Sequence, residues 1–533
     1  MAATEVTNAR SSGTDSAGEV SKTPAAAQET YKSDSEDEQS RREFLSRFTA
    51  DDDHRIMRKV DWRFLPLIGF MYLIKQIDFS NAASIKILQP EEPRNVLTEL
   101  HMSADQYNWI QTIYYVNLAS VIRNITRCTN YVQIAYVLFE VPSTLLLKKA
   151  TPRKWQSRIF FTWGIVVACH AAIQNASGFY ALRFLLGAME AGFFPCLAAQ
   201  MCSWYRSDEY GRPIMWMFGF QNFSGIIGSL LTYGISYMNG VGGLSAWRWV
   251  FLLEGLATML FAGIIYNVLP DYPKSPRSAK WLTPDEQQYL EYRLTENAPK
   301  TNDAAFDKSE IIISLKDPKL IGFTISQFFL NIAGYGLSWQ LPTITTSLGF
   351  AGLPRNQLLN IPPAAVTVVG IVFSAWFLRR AYIARPIFIH ILSTGILVFF
   401  TLLCVSVSKG AIYAAVVLGN AFYFVFFVPF WAWRSATLVG TTGTAFTLAL
   451  QTSIAQVGGV IAPQLFRSKY AYNGYKTSFI ICTVSVVLAI LSNVWLTYLT
   501  WTVENDTKNV RRERIRAERK GKVYTGEDVR LNR

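Results

Sequence analysis

Long stretches of this chain carry almost no charge, and that constrains its fold more than any other feature. Apolar runs recur near residues 62–84, 106–149, 158–176, 181–203, 214–236 and 249–269, and again near 319–341, 358–378, 386–407, 411–433, 441–463 and 476–500. A bilayer core needs about 20 apolar residues per crossing helix. Half of the 533 residues are hydrophobic (50%) and only 17% are charged, against about 25% in ordinary soluble domains. Most of that charge sits in the two ends and one central stretch. The pattern predicts an all-α membrane protein of about twelve transmembrane helices, arranged as two pseudo-symmetric six-helix bundles.

Loop charge predicts the orientation. Lys148, Lys149, Arg153, Lys154 and Arg158 lie between the second and third runs, and Arg379, Arg380 and Arg385 between the eighth and ninth. Arg511, Arg512, Arg514, Arg516 and Arg519 follow the last run. The alternate loops, near 174–180, 237–246 and 408–410, are almost free of cations. Basic loops stay cytoplasmic, so both termini and the central stretch are expected in the cytoplasm, with the plasma membrane as the expected location. The formal net charge of +13 is read in this way and not as a sign of nucleic-acid binding.

The expected organisation follows. Residues 1–55 are polar and read as a disordered cytoplasmic tail. Residues 56–270 form the first bundle, 271–318 a cytoplasmic linker, 319–505 the second bundle and 506–533 a basic cytoplasmic tail. Inside the linker, Thr283-Pro284-Asp285-Glu286 carries the signature of a helix start, with a hydroxyl cap, proline at the first position and acids in the first turn.

The second run is too long. Arg123, Asn124, Arg127 and Asn130 sit in its middle, where charge is costly. Removing Val116–Gln133 leaves one span of ordinary length. That segment reads either as a translated, unspliced intron, since its end codons permit the required splice dinucleotides, or as a true insertion. Sequencing cDNA across it decides between the two.

Several ionisable groups lie within the apolar runs and so should face a bundle interior or a watery cavity. Arg183 and Glu190 stand two helical turns apart in the fourth run and should share a face. The small residues Gly187, Ala188, Ala191 and Gly192 beside them let another helix or a ligand approach closely, or the pair is a structural clamp. Lys75 and Asp78 stand three apart in the first run, either neutralising one another or serving a cavity. Glu140, Arg248 and Glu254 read as gating or structural groups. In the second half, Gln327, Asn331 and Tyr335 recur every fourth residue along the seventh run. Asn331 and Tyr335 are the candidate substrate contacts there, the alternative being hydrogen bonds between helices. The six cysteines and four histidines show no metal spacing, and no phosphate-binding glycine loop is present. No cofactor or metal is therefore expected, and no enzyme activity.

Five stretches carry a family likeness: RFLLGAMEAGFFP (Arg183–Pro195), LSAWRWVFLLEG (Leu244–Gly255), YVLFEVPSTLLLKK (Tyr136–Lys149), WLTPDE (Trp281–Glu286) and YGLSWQLPTI (Tyr335–Ile344). They resemble the major facilitator superfamily. More narrowly they resemble its anion:cation symporter branch and the fungal allantoate, nicotinate and pantothenate permease-like members. The resemblance, over about residues 55 to 505, implies secondary transport of a small organic anion with protons by alternating access. It implies proton coupling at Asp78 and Glu190 and anion binding at Arg183. Related sequences usually place arginine after the first-span acid. Here Phe79 stands there, and Lys75 is the candidate to replace that cation. The implied partners are a small-molecule substrate, protons and the lipid bilayer, with the protein a monomer. A metabolite exporter or facilitator of the same fold, or a non-transporting nutrient sensor, are the competing readings.

Overall fold

The structure is a computed structural model. It describes residues 39–86, 88, 93–103, 106–107, 143, 150–206, 208–294, 308–347, 359, 361–405, 408–438, 441–466, 470 and 475–525. The segment Val116–Gln133 and Glu140 lie outside the described residues.

The described chain is helical. The first half contributes α1 (Ala50–Lys86), the short α2 (Val96–Glu99), α3 (Pro152–Cys169), α4 (Ala176–Glu190), α5 (Phe193–Cys202), α6 (Gly211–Ser236) and α7 (Ala246–Val268). The connecting stretch holds α8 (Pro284–Tyr292) and α9 (Lys308–Lys316). The second half contributes α10 (Pro318–Ser347), α11 (Ile361–Arg379), α12 (Arg385–Val405), α13 (Lys409–Ser435), α14 (Thr441–Leu465) and α15 (Lys476–Arg519).

Among the described residues, nine helices are long and apolar enough to cross a membrane, with α4 and α5 forming one span. Two further expected spans fall short of that standard for a visible reason. In α1 the polar run of Lys75, Gln76 and Asp78 lowers the hydropathy, and α3 begins with Arg153, Lys154 and Arg158.

Each half packs on itself. In the first, α3 lies on α7 and α1 on α6; in the second, α10 lies on α14 and α15, α12 on α13 and α15, and α11 on α13. The halves meet where α6 packs on α11 and α13, α10 on α1, and α14 on α5. The α3–α7 crossing depends on missing side chains. A Cβ on Gly255 would lie 2.5 Å from the backbone nitrogen of Ala168 and 2.8 Å from the carbonyl of Gly164. Small residues let membrane helices approach this closely. Gly255→Val is therefore expected to cost at least about 1–3 kcal/mol through overpacking, read as a lower unfolding temperature in detergent.

Two expected boundaries shift. A helix over residues 39–46 lies inside the stretch expected to be a disordered tail. Arg41 anchors it, donating to the carbonyls of Tyr292 (2.6 Å) and Leu294 (2.8 Å) beside the linker helix. At the other end α15 runs 44 residues, about 66 Å at 1.5 Å per residue. It continues past residue 505 because nothing there breaks it and its late arginines find partners. The linker helix α8 starts as its sequence predicts. The Thr283 hydroxyl accepts from the Glu286 amide (3.2 Å), and the Glu286 carboxylate accepts from the Thr283 amide (3.1 Å).

Candidate functional site

The fourth span is broken, and the break positions its acid. Helix α4 stops at Glu190; Ala191 turns to extended backbone, and Gly192 takes φ 87°, left-handed space that glycine enters without strain. Pro195 follows inside the first turn of α5, where a missing N–H leaves no helical bond unmade. The stretch GAMEAGFFP thus encodes two half-helices with Glu190 at the carbonyl end of the first.

Glu190 is buried, and Lys75 of α1 reaches it, Nζ to Oε1 being 3.3 Å. The same ammonium lies 4.8 Å from the centroid of the Phe79 ring, within range of a cation–π attraction. The Phe79 ring in turn lies 6.2 Å from that of Tyr335 on α10. Lys75 thus sits in the first half, one aromatic ring from the second. The sequence spacing allowed Lys75 to pair with Asp78, three residues on. The structure gives the two different partners.

Asp78 belongs to an adjoining cluster inside the first half, within electrostatic reach of Glu190 and Arg183. Its Oδ2 accepts from Thr258 Oγ1 of α7 at 3.0 Å. Glu254, one turn earlier on α7, is buried within electrostatic reach of Asp78 and Arg183. Neither Glu254 oxygen has a hydrogen-bond partner among the described residues. Arg183 is buried and lies over the rings of Phe179 (5.4 Å) and Phe251 (5.3 Å). His170 completes this aromatic box, its Nδ1 2.8 Å from the Val166 carbonyl and its ring 4.9 Å from that of Phe251. Arg183, midway along α4, lies with Asp78 and Glu254, while Glu190, two turns on at the carbonyl end, pairs with Lys75 and also lies within electrostatic reach of Asp78.

In the second half the polar face of α10 is divided. Gln451 donates to Gln327 (2.9 Å), and Asn331 donates to the Ala455 carbonyl (3.0 Å) and accepts from the Tyr423 hydroxyl (3.3 Å). These bonds tie α10 to α13 and α14. Tyr335 instead faces the first half at Phe79.

Charged contacts gather at both ends of the molecule. Away from the tails, Glu99 of α2 receives Arg248 (2.7 Å), Ser245 (2.6 Å) and Trp247 (2.8 Å), and Arg248 also donates to the Ala171 carbonyl (2.7 Å). Burial disfavours the ionised form of Glu99, but the hydrogen bonds from Ser245, Trp247 and Arg248 outweigh it and hold the carboxyl below its ordinary range. Arg248 is thus a strut across three loops, with a partner on α2 that the sequence reading did not single out.

At the tail-bearing end the halves lock together. Phe194 lies 4.8 Å from Trp431 and Phe218 lies 5.7 Å from Phe427, ring to ring. Asp208, in the turn before α6, is gripped by Arg511 (2.9 Å) and Arg514 (2.8 Å) of α15. Glu209 pairs with Arg293 (2.7 Å), and the start of α1 bonds to the turn just after α15, Ala50 N to Gly521 O (3.1 Å). Burial opposes ionisation of Asp208, but Arg514, Arg206 and Arg511 overcome it and hold the carboxyl far below its ordinary value. A depressed carboxylate contributes its stability above the unfolded pKa of about 3.9 and loses it only as pH falls through the lower folded value. Closure through Asp208 should therefore not change between about pH 5 and 8. Asp208→Asn leaves Arg206, Arg511 and Arg514 facing one another and should weaken closure by about 3–5 kcal/mol, the usual effect of breaking a buried pair. A longer spin-label distance between the turn before α6 and α15 checks it.

The Major Facilitator Superfamily profile matches residues 77–463. The chain is 28% identical over 432 residues to the MFS transporter prlL of a fungal species (strain NRRL 50135), covering 80% of this chain and 83% of that one. It is 26% identical over 427 residues to an Agrobacterium vitis protein provisionally named a tartrate transporter, covering 78% and 85%. Among solved structures, the human organic anion transporter MFSD10 superposes with a TM-score of 0.56 at 13% identity, covering 81% of this chain and 99% of that one. The proton:xylose symporter XylE superposes with a TM-score of 0.56 at 14% identity, covering 82% and 95%.

Proposed function

The chain belongs to the major facilitator superfamily and is a membrane transporter, and from that premise we propose that it carries a small organic anion together with a proton. The observation that carries this reading is Lys75, a cation held between the Glu190 carboxylate and the Phe79 ring at the contact with Tyr335. An ammonium can neutralise Glu190 or a substrate carboxylate, but not both. Protonating Glu190 removes the competitor and frees Lys75 for the anion. Proton and anion then bind together, which is the requirement for symport.

The neighbouring cluster supports a second proton position. One guanidinium, Arg183, cannot neutralise both Asp78 and Glu254, so that pair is suited to carry an exchangeable proton inside the first half. Glu254 takes this role beside Asp78 in place of a gating one. Asn331 acts by holding α10 in place, and Tyr335 by walling the substrate position. The likeness of the fourth-span stretch to the anion:cation symporter branch supports an anionic substrate, as does the tartrate named for one relative.

The basic tail-bearing end faces the cytoplasm of a plasma-membrane protein under the positive-inside rule. The Asp208–Arg511–Arg514 lock then describes a state closed toward the cytoplasm. Alternating access proceeds by rocking the two halves about Lys75 and Tyr335. Uptake of labelled carboxylates, ureides and vitamins into proteoliposomes tests this reading. At least one carboxylate should accumulate when the outside is acid and leak back on adding a protonophore. Accumulation only with the opposite gradient would make the protein an exporter.

A further inference from the structure

A cavity of about 260 Å³ opens at the tail-bearing end, away from Lys75 and from the Asp78 cluster. The turn before α6 and the start of α6 form one wall, with Asp208, Arg212 and Met215. The end of α11, the turn into α12 and the protruding part of α15 form the other. The cavity thus lies across the seam between the halves.

Its charge is unbalanced. Five cationic side chains line it against three carboxylates. Three of the cations are already matched, Arg212 to Asp61 (2.6 Å), Arg385 to Glu504 (2.8 Å) and Arg511 to Asp208 (2.9 Å). Arg379 and Lys508 have no carboxylate partner among the described residues; Lys508 makes only a long bond to Asn505 (3.4 Å). The floor is apolar, and it runs outward onto an exposed ridge of α11. Val369 (70% exposed), Val372 (54%), Phe373 (56%) and Trp376 (50%) form that ridge. A tryptophan beside basic residues at a helix end marks the depth where headgroups meet hydrocarbon. Two unmatched cations above an apolar ridge complement a molecule with a phosphate at one end and hydrocarbon at the other.

We propose that this cavity binds the headgroup of an anionic phospholipid from the leaflet at the tail-bearing end. Arg379 and Lys508 meet the phosphate, and the acyl chains lie along Val372 and Trp376. Anionic lipids gather at such basic pockets between membrane helices. Because both halves contribute walls, the bound lipid staples the closed state at this end.

Native mass spectrometry of the full-length protein, taken from nanodiscs of equal phosphatidylserine and phosphatidylcholine, tests the proposal. The wild type should retain phosphatidylserine over phosphatidylcholine by about tenfold, equivalent to about 1.4 kcal/mol. Arg379→Gln/Lys508→Gln should reduce that preference to less than twofold while eluting as the wild type does in size exclusion. Lys508→Glu serves as a second variant and should give the same loss. Equal retention of the two lipids by the wild type, or an unchanged preference in both variants, would overturn the proposal. Displacement of the retained lipid by millimolar inorganic phosphate would also overturn it, by assigning the cavity to a soluble anion.

Discussion

Replacing Glu190 with glutamine is expected to uncouple transport from the proton gradient without stopping it. Glutamine keeps the shape at the end of α4 but can neither pair with Lys75 nor release a proton. Lys75, 3.3 Å away in the wild type, would then be free for the anion at every pH. One pH unit is worth about 1.36 kcal/mol, so an electroneutral one-to-one symporter should accumulate substrate about tenfold per unit of gradient. In the Glu190→Gln variant that ratio should fall to about one, no accumulation, while exchange of labelled for unlabelled substrate continues. Uphill uptake at the wild-type level by that variant would remove Glu190 from the coupling.

Lys75→Gln should have the opposite signature. It removes the anion-binding cation, and both net uptake and exchange should fall by roughly a hundredfold, about 3 kcal/mol of lost binding. It also leaves Glu190 buried without its ammonium, which destabilises folded proteins by about 3–5 kcal/mol. The two effects separate in a double-mutant cycle. Lys75→Gln/Glu190→Gln should recover thermal stability, because no charge is left unmatched, yet remain inactive. Lys75→Arg should retain transport. Recovery of transport in the doubly substituted protein would show that Lys75 only neutralises its neighbour.

Much of this architecture was legible in the sequence because hydropathy and membrane thickness act locally. Runs of about twenty apolar residues mark the spans whatever they pack against, and the fourth-span stretch announced both its charges and its glycine. What the sequence could not give was partner choice. Lys75 had Asp78 three residues away in its own helix, but the break at Ala191–Gly192 turns Glu190 toward it from another helix. Glu254 was visible as an acid in an apolar helix. Its place beside Asp78 depends on how α7 crosses α1, a long-range contact with no local trace. Asn331 and Tyr335 shared a face by periodicity, yet one bonds to neighbouring helices and the other meets the opposite half. The grip of Arg511 and Arg514 on Asp208 was hidden for a similar reason. About 300 residues separate those arginines from their acid, and a basic tail alone reads only as cytoplasmic.

The central claim, that anion and proton enter together through the Lys75–Glu190 pair, is tested most directly with a pH electrode. Adding a transported anion to a lightly buffered suspension of de-energised proteoliposomes should make the medium alkaline as substrate enters. A protonophore should abolish the trace, and so should Glu190→Gln. Labelled anion entering wild-type vesicles with no change in external pH would contradict the account.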